Sequence, residues 1–140
     1  MVKSSQKNTE QVAPSVRVIK TADTPNISGT ASLTYQLGAN DEDSLMIRIL
    51  KSEGGGFFSM EWVAIDDILD ILTNWDADNG ISSVSLASLY LGSVNTKSFV
   101  MAALKAEGVI QPLEGKQRNF ELGDVEGFLE RASQLKDGNA

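Results

Sequence analysis

Residues 82–122, SSVSLASLYLGSVNTKSFVMAALKAEGVIQPLEGKQRNFEL, restrict the possible folds of this chain more than any other stretch. Val84, Leu86, Ala87, Leu89, Tyr90 and Leu91 give a short helix an apolar inner side. A tight turn follows at Leu91-Gly92-Ser93, where Gly92 can take the left-handed backbone that ends a helix sharply. Ser93 or Asn95 can cap the next helix by accepting from an orphan N–H. That second helix is predicted over residues 96–107 and stops at Gly108. Val109, Ile110 and Leu113 then alternate into a hairpin with its tip at Glu114-Gly115-Lys116-Gln117, and Phe120 and Leu122 return from it. Gly123-Asp124 opens a last helix with Val125, Phe128, Leu129, Ala132 and Leu135 as its buried stripe.

Upstream the period changes from that of helices to that of strands. Ile27, Gly29, Ala31, Leu33, Tyr35 and Leu37 alternate with small polar residues, which predicts a strand with one buried and one wet face. Residues 38–43 read as a loop of turn formers and acidic side chains, 45–51 as a second strand covered on both faces, and 57–63 as a third, together an antiparallel meander. Val16, Val18 and Ile19 are enough for a short strand before Thr24-Pro25-Asn26 breaks it, and residues 1–14 read as a flexible tail. Ile65, Ile68, Leu69, Leu72 and Trp75 form one stripe of a helix that follows the third strand. The expected fold is α+β, with a sheet region over 15–64 and a helical region with its hairpin over 65–136.

Composition narrows the chemistry. The chain has no cysteine and no histidine, which excludes disulfides, thiol nucleophiles, imidazole-ligated zinc and every histidine-based triad. Asp66, Asp67 and Asp70 lie near a helix start, where the dipole favours negative charge, and this reading is preferred to a divalent-metal site. Asp76-Ala77-Asp78-Asn79-Gly80 fails as a calcium loop because its twelfth position is Ala87 rather than glutamate. No cofactor and no catalytic residue is expected. A polar start and the lack of an apolar run near the roughly 18 residues of a membrane span predict a cytoplasmic protein without a membrane partner. The net charge of −7 argues against broad binding to nucleic acid, but residues 1–79 carry six Lys+Arg against twelve Asp+Glu while 80–140 carry six against seven. The second half is therefore close to neutral and can hold a local basic face.

The pattern Leu86-Ala87-x-x-Tyr90-Leu91-Gly92, Thr96-Lys97-Ser98-x-Val100-x-x-x-Leu104, Glu107-Gly108-Val109-Ile110 and Gly115-Lys116-x-Arg118-x-Phe120 resembles bacterial winged helix-turn-helix repressors. It is also similar to the excisionase and MerR-like group, where residues 124–129 match the helix after the wing. The likeness covers about 50 residues, roughly 82–132. It implies that the second helix enters a major groove, with Asn95, Thr96, Lys97 and Ser98 reading bases or phosphates, Lys105 on the backbone, and Lys116, Gln117 and Arg118 as wing contacts. The implied function is a DNA-binding regulatory or accessory protein acting on double-stranded DNA, its sheet edges open to self-association as a homodimer. Phe99, Met101 and Ala102 would then lie on or beside the presented helix face, an apolar set that also suits another protein. The alternative is accordingly a winged-helix protein–protein interaction module, a non-catalytic subunit of a larger complex.

Overall fold

Leu33, Tyr35 and Leu37 in one strand, and Ile47 and Ile49 in the next, are all at most 2% exposed, and this shared apolar face collects the helices. A computed structural model describes residues 15–54, 56–75, 78–90, 94–115 and 119–138. Its sheet runs β1 (Val16–Pro25), β2 (Ser32–Asn40), β3 (Leu45–Ser52) and β4 (Val63–Ala64), each antiparallel to the one before. Then come α1 (Ile65–Thr73), a 3-10 helix (Ser83–Leu89), α2 (Val94–Ala106), the hairpin strands β5 (Ile110–Pro112) and β6 (Phe120–Leu122), and α3 (Val125–Lys136). The fold is mixed α+β. One buried cluster joins Leu33, Ile47, Ile68, Leu104 and Phe128, so sheet and helices share a core.

The sheet differs from its sequence reading in three places. β1 extends over ten residues, not a short piece, because it pairs with β2 along its whole length, with one bulge between Val18 and Lys20. Residues 27–31, expected to open a strand, instead form with Asn26 the turn between β1 and β2. The Asn26 side chain accepts from the Thr30 N–H at 3.0 Å and its own N–H donates to the Ala31 carbonyl at 2.8 Å. Local hydrogen bonding from Asn26 thus wins over the alternating pattern. Residues 57–62 are not a strand either. They cross the start of α2, where the Ser59 N–H donates to Thr96 Oγ1 at 2.8 Å and the Phe58 and Phe99 rings meet edge to face at 5.9 Å. Only Val63 and Ala64 pair with β3.

On the face away from the helices, Trp62 lies across Gly38, where an added Cβ would stand 2.9 Å from its ring. Arg48 sits 4.5 Å from that ring and donates through Nε to Gln36 Oε1 at 2.9 Å. This cation–π stack covers the outer sheet with one aromatic side chain.

In the second half, α1 buries Ile65, Ile68 and Leu72 as the stripe predicts, with Asp66 and Asp67 in its first turn. It ends at Thr73, which leaves Trp75 off the buried stripe and 38% exposed. The helix expected before the turn is a 3-10 segment, held at its start by reciprocal bonds between Ser82 and Ser85. The turn at Leu91-Gly92-Ser93 lies outside the described residues. α3 is capped by Asp124, which accepts from the Gly127 N–H at 3.0 Å, and it buries Phe128 and Ala132. Leu129, expected inside, is 39% exposed.

Candidate interaction surface

α2 carries most of the expected ligand contacts, so its surroundings decide what it can touch. Val100, Met101, Ala102, Ala103 and Leu104 are consecutive and each at most 2% exposed. Five residues exceed one helical turn of about 3.6, so no face of that turn is open. β1, β2 and β3 pack against the helix together with the 3-10 segment and β5. Leu104 is in the core as expected, whereas Met101 and Ala102, read as lying on or beside the presented face, are not presented.

The leading turn is partly occupied. Thr96 is 1% exposed and accepts from Ser59, which corrects its expected place at a DNA surface. Asn95 is half-buried and its Nδ2 donates to the Phe57 carbonyl at 2.9 Å. Lys97 and Ser98 are half-buried and Lys105 is exposed. Ser98 borders a 450 Å³ groove with Asn26, Ser82, Ser83 and Asn119, and no charged side chain is among the described residues lining it. Lys116, Gln117 and Arg118 lie outside the described residues.

A group that the sequence reading passed over fixes this arrangement. Glu107, just beyond α2, is 6% exposed. Its Oε2 accepts from the Tyr35 hydroxyl of β2 and lies 2.8 Å from Lys20 Nζ of β1. Its carbonyl accepts from Arg131 Nη2 of α3 at 2.8 Å. One residue thereby ties two strands and two helices together. A carboxylate at a helix C-terminus opposes the macrodipole, and burial adds a desolvation cost. Lys20 and Tyr35 offset both. The signal in the sequence was an acidic residue directly before the terminating Gly108, where a basic one is favoured.

The two tyrosines resist ionisation. Tyr35 is pushed above its ordinary value first by burial, then by its bond to Glu107 and by that charge. Tyr90 is raised by burial and, secondarily, by Glu61, and among the described residues its hydroxyl has no hydrogen-bond partner. A raised folded value means that stability is complete below about pH 10, where both states keep the proton, and is lost above it as the unfolded chain ionises first. The expected loss is about 1.4 kcal/mol per pH unit for each tyrosine. Urea unfolding from about pH 9 to about 11 should show it, and Tyr35→Phe should make the decline shallower. An equally steep decline in that variant would refute the assignment.

Among the described residues no helix is long and apolar enough to cross a membrane. No protein-family model matches the sequence, and no curated protein or solved structure matches it.

Proposed function

We propose that this chain is a protein–protein interaction module, a non-catalytic subunit built on a winged helix-turn-helix whose second helix has been given over to the core. The order of α1, 3-10 helix, α2 and hairpin supports the winged-helix reading. So does the antiparallel bridge between Ile81 and Phe120, whose N–H groups each donate to the other's carbonyl at 2.7 Å. The observation that carries the choice of function is the enclosure of α2: a helix buried on every side at 100–104, with Thr96 covered at its start, offers little to a major groove. The acidic balance of −7 points the same way. Self-association through the sheet edge is not needed. β1 has a bulge, Arg17 and a terminal Pro25, features that discourage edge pairing.

A gel-shift series with random duplex at low salt tests this. No retarded species is expected. A retarded species that weakens steeply with salt, at about 0.9 in the log–log slope per phosphate contact, and that Lys97→Ala or Lys105→Ala diminishes, would return the chain to the DNA-binding class.

A further inference from the structure

Where α1 ends, the chain leaves apolar side chains in water. Trp75 is 38% exposed, and Leu122 at the end of β6 is 36% exposed. Together with Leu72, Thr73, Leu113 and Glu121 they line a 190 Å³ cleft between α1 and the hairpin. The floor depends on Gly80: its φ is +85°, and a Cβ there would stand 2.7 Å from Leu113 Cδ2. A side chain at that position would displace Leu113 and alter the cleft.

Among the described residues the surroundings are acidic. Glu121, whose Oε2 accepts from Gln111 Nε2 at 2.6 Å, is the one charged residue among the described lining residues. On α1, Asp66, Asp70 and Thr73 follow the i, i+4, i+7 spacing that places them on one helix face, so exposed carboxylates continue as a row from the cleft mouth. Asp67 is exposed beside them. A tryptophan with leucines in a concave site is the composition of an interface anchor. A row of carboxylates beside it selects the charge of what docks.

We propose that this cleft takes a basic amphipathic helix of a partner protein, its apolar stripe against Trp75, Leu113 and Leu122 and its Lys or Arg side chains against the acidic row of α1. The proposal rests on the interaction-module reading and names the surface and partner class that reading leaves open. The helix is preferred because the acidic row runs along α1 at helical spacing, so a partner helix lying along it can match the carboxylates with Lys or Arg at the same interval.

The test uses the complete chain with a short peptide of Leu and Lys designed as an amphipathic helix, and the same peptide with Glu in place of Lys. Backbone and indole N–H resonances are followed by NMR, the Trp75 indole being identified with Trp75→Phe. The basic peptide should shift the Trp75 indole and the amides of residues 70–75, Leu113 and 120–122 in a saturable way, and the acidic peptide should not. Leu122→Ser should weaken binding at least tenfold. Asp66→Asn with Asp70→Asn should weaken it at low salt, with the difference disappearing at high salt. An unmoved Trp75 indole, or equal affinity for the unmodified chain and Leu122→Ser, overturns the cleft assignment alone. A salt-sensitive DNA complex in the gel-shift series would instead overturn the module reading on which it rests.

Discussion

Met101→Ala is expected to lower the unfolding free energy by about 2–5 kcal/mol, the range for truncating a buried methionine. Met101 is 1% exposed on the side of α2 that a DNA-reading arrangement would leave accessible. Removing its side chain takes apolar atoms out of the core and leaves a cavity that the packed sheet and helices fill only partly. In a presented helix the same change would cost little, because the side chain would already be in water. Lys105→Ala, in the exposed last turn of the same helix, is the internal comparison, with an expected loss no larger than about 1 kcal/mol from the last-turn dipole. Urea unfolding of the two variants decides between the arrangements. If Met101→Ala unfolds at the same urea concentration as the unmodified chain, the helix is open on that side and DNA regains its claim on α2.

Glu107→Ala is the second large effect, expected at about 3–5 kcal/mol for breaking a buried ion pair, and toward the lower end because Lys20 keeps partial access to water. The loss has two sources. The Tyr35 hydroxyl stays buried without its acceptor, and Lys20 loses its counter-charge. Arg131 is unaffected, since its bond is to the backbone carbonyl of Glu107. Replacing the whole group, Lys20→Met with Tyr35→Phe and Glu107→Leu, should recover most of the stability, because apolar residues of similar volume avoid the desolvation cost altogether. Denaturation of the single and triple variants separates the two contributions. A triple variant no more stable than Glu107→Ala would mean that the charged and hydrogen-bonded group itself, and not apolar packing of similar volume, holds the helices to the sheet.

Much of the helical half was legible because its signals are local. The hairpin strands came from alternation around a turn, α1 from the Ile65, Ile68 and Leu72 stripe, and the end of α2 from Gly108. The sheet was less so. Residues 27–31 alternate like a strand, yet the Asn26 side chain closes a turn, and Phe57 and Ser59 bond through their backbone to α2 instead of β3. Trp75 fits the stripe of α1 by spacing, but the helix stops before reaching it. The consecutive Val100, Met101, Ala102, Ala103 and Leu104 did contain a warning, since a helix apolar all round belongs in a core.

The amino-acid order by itself determined where most helices form, where the hairpin turns, and which chemistries are absent, because propensity, periodicity and residue inventory act over a few positions. Only the tertiary structure decided what α2 faces. That depended on Tyr35 and Lys20, more than 70 positions upstream, meeting Glu107, and on the 57–59 segment closing over Thr96. The burial of a helix face is set by what packs against it, and contacts between residues so far apart leave no periodic trace in the chain that makes them.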